Sequence, residues 1–242
     1  YDQFMKENHF DAAAAAMMKE GRFGQDPAYR RERLAALRAQ VQRGRMSEAL
    51  RAEVLRRAHT GYPDKGLFVR SSTNSEDLPS FNGAGLYTTV PNARGDDQIV
   101  EAIKTVWASV WNFAAYEARE RAGIDHKKVY MAVLLQKGIN ADSAGVMITT
   151  DPYDRENRNA ISISAKRGLG IKVVEGEKVA EQILYNPETN AVRVLTRSAE
   201  DSLLQFEARG GSARCPSAVS ARCSPARWRA AWPAWPSGSN GC

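Results

Sequence analysis

Leu34, Leu37 and Val41 recur three and four positions apart in an otherwise charged run, which predicts a helix over 27–45 with one buried side. Leu50, Val54 and Leu55 repeat that spacing after Ser47, whose hydroxyl is placed to cap a second helix. Residues 1–20, rich in alanine and carrying Phe4, Met5, Phe10, Met17 and Met18, predict one or two more. Tyr62-Pro63-Asp64-Lys65-Gly66 breaks the pattern, and Gly66-Leu67-Phe68-Val69 reads as a buried strand ending at Arg70. The strand is expected to stop there because Ser71, Ser72, Thr73 and Asn74 favour local backbone hydrogen bonds over a continued ladder. A long helix over 97–121, capped by Asp97 and stopped by Gly123, sets Ile99, Ile103, Trp107, Val110, Trp111 and Ala114 on one stripe. Strands are predicted at 129–136, 144–150 and 160–165. A hairpin of 181–186 with 191–196 turns through Pro187-Glu188-Thr189-Asn190.

An α+β fold is expected, with an N-terminal helical segment over 1–62, a mixed domain over 63–209 and a tail over 210–242. The tail differs in kind from the rest. Residues 212–242 hold all three cysteines and three of the five tryptophans, with no Asp, Glu, Lys, Ile or Leu. Neither a period of 3.6 nor of 2 runs through it, so it is expected to be disordered and to build no packed core. Its composition matches an out-of-frame translation of a GC-rich gene; a native basic tail is the alternative. Three cysteines with no second pair or histidine nearby support neither a disulfide framework nor a metal site, and the cysteine-free body suits a cytoplasmic protein.

The formal charge of +6 loses its force once located. Four of the positive charges are Arg214, Arg222, Arg227 and Arg229 in the tail, which leaves +2 on the body. The arginines between 30 and 57 alternate with Glu32, Glu48 and Glu53 on helices, the pattern of solvated faces, so no nucleic-acid partner is expected. No apolar run approaches the length of about 18 residues that a membrane span needs. The start, Tyr1-Asp2-Gln3-Phe4, has no initiator methionine and no signal-peptide pattern, and reads as the interior of a longer polypeptide.

The candidate chemistry is concentrated in VRSSTNSEDLPSFNGAGLY, residues 69–87. Arg70 offers planar, always charged donors that can hold two phosphate oxygens at once. Gly83-Ala84-Gly85 offers backbone amides that no large side chain shields, so an oxyanion can approach closely. Glu76 and Asp77 suggest a metal pair, but neighbours on an extended chain point apart, and hydrogen bonds that fix the loop explain them better. Asp151 before Pro152 is read as a turn-former. His9, His59 and His126 are scattered in charged or helical segments. Trp107 and Trp111 could stack on a base, but their helical spacing assigns them to the core.

Taken together, Val69-Arg70-Ser71-Ser72, Glu76-Asp77-Leu78-Pro79 and Phe81 to Gly85 resemble the nucleotide-binding domain of the phosphoenolpyruvate synthase and pyruvate phosphate dikinase family, which also includes glucan water dikinases and rifampin phosphotransferases. Two more blocks agree: residues 131–152, similar to the family's hinge strand and Ala-Gly-Val-Met strand, and residues 163–176, similar to its Gly-Leu-Gly segment. The resemblance covers residues 45–209 and implies an ATP-grasp fold, with ATP and Mg2+ as cofactors.

By resemblance, Arg70 contacts the ATP phosphates, Gly83, Ala84 and Gly85 form the loop that covers them, and Gln136 meets the adenine at the end of the hinge strand. The Mg2+ ligands are not identified, and Ile171 stands where the family usually has an acid. The family's N-terminal lysine segment and its Glu…Gln-x-Arg set are not found, so the ATP-grasp domain is expected to be incomplete and inactive by itself. In the intact polypeptide a phosphohistidine domain would relay the phosphoryl group from ATP to an acceptor such as pyruvate. A non-catalytic nucleotide-binding or interaction domain, or a glucan water dikinase-like enzyme, are the alternatives.

Overall fold

A computed structural model describes residues 1–78, 81–154, 157, 159–171, 180–198 and 202–216. Two compact units divide the described residues: Tyr1–Ile139 with Phe206–Ser212, and Asn140–Gln205 with the described residues from Ala213 on.

In the first unit, helices α1 (Asp2–Glu7), α2 (Phe10–Met18), α3 (Gly21–Gln25), α4 (Pro27–Arg43) and α5 (Glu48–Gly61) precede the strands. Asp26 caps α4, its Oδ1 accepting from the amides of Ala28 and Tyr29, and Leu34, Leu37 and Val41 are buried as the spacing predicted. Ser47 does stand at the start of α5, but its hydroxyl makes no capping bond. The N-terminal 20 residues form two helices because His9 takes a left-handed conformation between them.

Strands β1 (Leu67–Thr73), β2 (Asp77–Leu78), β3 (Phe81–Asn82) and β4 (Val90–Ala93) follow, then α6 (Gly95–Ala108), α7 (Phe113–Arg121) and β5 (Met131–Lys137). The sheet order β4-β1-β5 is antiparallel throughout. Contrary to the expected stop at Arg70, β1 continues to Thr73, because β5 supplies partners for every residue: Ser71 faces Val133, Ser72 faces Ala132 and Thr73 faces Met131. A complete ladder outweighs the turn preference of serine and threonine. Arg70 therefore lies inside the strand and not at its end.

Alternation along this pair divides the sheet into two faces. Leu67, Val69 and Met131 are buried on one, with Val133 and Leu135 packed against the same core. Helix α6 covers that face with Ile99, Ile103, Val106 and Trp107. Each such side chain contributes about 1.5–3 kcal/mol on burial. Trp107 and Trp111 are 5% and 4% exposed, so both belong to the core and neither is a platform for a base.

The single helix expected over 97–121 is two. Helix α6 starts at Gly95 with Arg94 at its cap, and Gln98 Oε1 accepts the Arg94 amide where Asp97 was expected to cap. A short 3-10 turn, Ser109–Trp111, then ends at Asn112, whose extended backbone (ψ 138°) interrupts the helix before α7. Gly123 does stop α7, with a positive φ of 65°.

Beyond α7, His126 stacks on Tyr116 with ring centroids 3.9 Å apart, and its Nε2 lies 2.9 Å from Glu120 Oε2. Burial pushes the imidazole below its usual 6.5, although the Glu120 bond acts in the opposite direction. The unfolded chain therefore binds more protons as the solution is acidified below that value. This contribution to stability is full above about pH 6.5 and is lost as pH falls toward the lowered folded value. His126→Gln is expected to shrink the difference between urea midpoints measured at about pH 7 and pH 5.5.

The second unit contains the antiparallel sheet β6 (Ser143–Ile148), β7 (Ile161–Arg167), β8 (Glu181–Asn186) and β9 (Ala191–Thr196), and all but Phe206 and Ser212 of the pair β10 (Ser202–Phe206) and β11 (Ser212–Pro216). The hairpin β8–β9 has the predicted limits, its turn held by Asn186 Oδ1 accepting from the amides of Glu188 and Thr189. Asp151 Oδ1 accepts from the amides of Tyr153 and Asp154, which makes it the turn-former expected. At the junction with the tail, Ser212–Pro216 is strand and not irregular chain; the remaining tail expectation, over 217–242, lies outside the described residues. Among the described residues no helix is long and apolar enough to cross a membrane.

Candidate nucleotide-binding site

The face of β1 and β5 turned away from the core carries Phe68, Arg70 and Ser72 opposite Gln136, Leu134 and Ala132. Arg70 and Gln136 sit diagonally on neighbouring strands, and Arg70 Nη1 donates to Gln136 Oε1 at 3.2 Å. Two residues 66 positions apart in sequence, singled out separately, are thus one exposed polar pair. Phe68 lies beside Arg70 on this face, its ring 5.6 Å from that of Phe206, and Leu134 is 51% exposed. An open sheet face that combines a guanidinium, a primary amide and accessible apolar surface is equipped for a ligand with both an anionic and a flat apolar part.

The glycine loop joins β3 to the segment before β4. Its three residues have different roles. Gly83 is buried, and its amide donates to the Glu76 carbonyl at 2.8 Å. A Cβ there would stand 3.1 and 3.2 Å from Glu76 backbone atoms, so the close approach of β2 and β3 needs glycine. The Ala84 amide donates to Asn82 Oδ1 at 2.9 Å. Gly85, at φ 76° and in open space, leaves its amide without a hydrogen bond among the described residues. The expectation of three unshielded amides therefore narrows: Gly83 is committed to the frame, while Ala84 and Gly85 form the exposed tip. Among the described residues no hydrogen bond joins this loop to Arg70 or Gln136.

Three fastenings hold the tip that sequence reasoning did not single out. Leu86 donates its amide to the Gly83 carbonyl at 3.1 Å, and the Leu86 carbonyl accepts from Asn112 Nδ2 at 3.0 Å, so the helix break at Asn112 supports the loop. Next along the chain, the Tyr87 hydroxyl accepts from Arg119 Nη1 at 3.2 Å. Arg119 is fully buried, on the face of α7 that also buries Ala115 and Tyr116. Its spacing of four from Ala115 was the available signal, masked by the ordinary surface habit of arginine.

Glu76 is spent on the loop as expected: its Oε2 accepts the Thr73 amide at 3.4 Å. The side chain of Asp77 lies outside the described residues. Among the described residues no group of three or more His, Cys, Asp or Glu could hold a metal ion.

Comparison with known proteins matches residues 1–221 to the pyruvate phosphate dikinase, AMP/ATP-binding domain family. The chain belongs to this family. Among similar curated proteins, phosphoenolpyruvate synthase of Pyrococcus furiosus is 37% identical over 153 residues, covering 54% of this chain and 19% of the relative. Phosphoenolpyruvate synthase of Aeropyrum pernix is 33% identical over 147 residues, 61% of this chain and 18% of the relative. A probable phosphoenolpyruvate synthase of Methanothermobacter thermautotrophicus is 40% identical over 116 residues, 48% and 17%. The chain thus spans about a fifth of the length of the curated relatives it matches.

Proposed function

We propose that this chain is the ATP-binding part, of ATP-grasp type, of a dikinase-type phosphotransferase. The observation that carries the proposal is the Arg70–Gln136 pair on the open sheet face, in the same compact unit as the exposed Ala84–Gly85 tip. Arg70 would neutralise phosphate oxygens, Gln136 would offer its amide to the base, and the tip would cover the phosphates. In the intact polypeptide a histidine of a phosphohistidine domain would attack the β-phosphorus of ATP. AMP would leave, water would cleave the resulting pyrophosphohistidine and carry off the γ-phosphate as inorganic phosphate, and the phosphohistidine would pass its group to an acceptor. The names of the relatives favour pyruvate as that acceptor. Mg2+ would neutralise charge on the phosphates. In such a reaction, placing and neutralising the phosphoryl oxygens supplies most of the acceleration.

Titration of the intact polypeptide with ATP tests this, with the two loop glycines as separate probes. Gly85→Val should fold normally and bind ATP at least about fivefold more weakly, because valine is strained at positive φ and shields the free amide. Gly83→Val should loosen the loop itself, since its side chain would press on the Glu76 backbone. ATP affinity unchanged in Gly85→Val would reduce the loop to a connector.

A further inference from the structure

The largest fully buried side chain among the described residues is a cation, Arg119, and none of its hydrogen bonds goes directly to a carboxylate. Nη2 donates to the Val110 carbonyl at 2.6 Å, Nε donates to His126 Nδ1 at 3.2 Å and Nη1 donates to the Tyr87 hydroxyl at 3.2 Å. A guanidinium has only donors, and this sets the direction of everything bonded to it. His126 must keep Nδ1 bare, carry its proton on Nε2 and donate it to Glu120, 2.9 Å away. Tyr87, having accepted from Arg119, has its own proton to give to Ser75 Oγ at 3.3 Å. Ser75, which is 3% exposed, can then donate to Thr73 Oγ1 at 3.2 Å, and Thr73 to Asn74 Oδ1 at 3.5 Å. Bonds aligned in this way polarise one another.

The two ends of this chain are the two halves of the candidate site. Tyr87 closes the segment that bears the Ala84–Gly85 tip. Thr73 is the last residue of β1, which bears Arg70, and Asn74 ties it to the start of β5 by accepting the Tyr130 amide and donating to the Lys128 carbonyl. From this geometry we infer that Arg119 is a positioning residue for the nucleotide site, holding the glycine loop and the β1–β5 pair in fixed relation through Tyr87 and Ser75. The inference rests on the proposed ATP site. It adds to that site a buried group that touches no ligand.

Tyr87→Phe removes one oxygen and breaks the chain between Arg119 and Ser75. Ser75→Ala breaks it one bond further on, and both leave the apolar core intact. In the intact polypeptide, amide exchange at Gly83 and Leu86 should rise about tenfold in Tyr87→Phe while far-UV circular dichroism is unchanged. ATP affinity should fall about fivefold to tenfold, and AMP affinity should change little, because AMP lacks the phosphates that the tip would cover. Wild-type exchange at Gly83 and Leu86 in both variants, or equal loss of ATP and AMP affinity, would overturn the inference. Arg70→Ala separates the two levels. Loss of ATP binding in Arg70→Ala with wild-type behaviour in Tyr87→Phe refutes the role of Arg119 alone, whereas unchanged ATP affinity in Arg70→Ala refutes the site on which it rests.

Discussion

Arg70→Ala in the intact polypeptide is expected to weaken ATP binding at least about tenfold without unfolding the domain. Hydrogen bonds between a guanidinium and phosphate are charge-assisted and contribute about 1.5–3 kcal/mol each, so one such contact accounts for the effect. The fold should survive because the side chain is exposed and its bond to Gln136 lies on the open face. Losing that bond leaves no buried group unpaired. Isothermal titration calorimetry on the variant, with circular dichroism as the folding control, decides the matter. Unchanged ATP affinity in a folded variant would refute the assignment of Arg70.

The second large effect concerns stability. Trp107→Ala should lower the unfolding free energy by about 3–5 kcal/mol, the usual loss when a buried tryptophan is emptied from a core. Trp107 is 5% exposed, its ring lies 5.0 Å from that of Phe4, and Tyr1 meets it edge-on at 6.5 Å. The cavity would open between α1 and α6, where Phe4 and Tyr1 pack on the indole. Urea denaturation followed by far-UV circular dichroism should show the midpoint shift. A loss below about 1 kcal/mol would mean that the ring is not part of the core.

Local rules were sufficient for some elements. The hairpin β8–β9 has its predicted limits because alternating residues on both sides of a Pro-Glu-Thr-Asn turn carry a period-2 signal that helix cannot satisfy. Helix α4 shows its buried stripe of Leu34, Leu37 and Val41 for the corresponding reason at period 3.6. Strand β4, Val90-Pro91-Asn92-Ala93, carries no strand pattern of its own: it holds a proline, and Asn92 takes a positive φ. Its strand character comes from pairing with β1 and not from its own preference. The break at Asn112 was hidden for a similar reason: the apolar stripe runs on through Val110 and Trp111, while the extended backbone of Asn112 interrupts the helix and its amide supports Leu86.

What the sequence by itself determined about this protein is its class, an α+β chain with helices first and a family-specific run from Val69 to Tyr87, and it nominated Arg70, Gly83, Ala84, Gly85 and Gln136 as candidate residues. Those follow from residue type and short-range spacing, which a linear string records in full. Only the tertiary structure decided that Arg70 and Gln136 touch, that Gly83 belongs to the frame while Gly85 is free, and that a buried arginine on α7 reaches Tyr87 beside the loop. Each of these depends on strand register or on which helix face is buried. Both are fixed by cooperative packing of segments far apart in sequence, where a one-residue slip would turn Arg70 from the open face into the core.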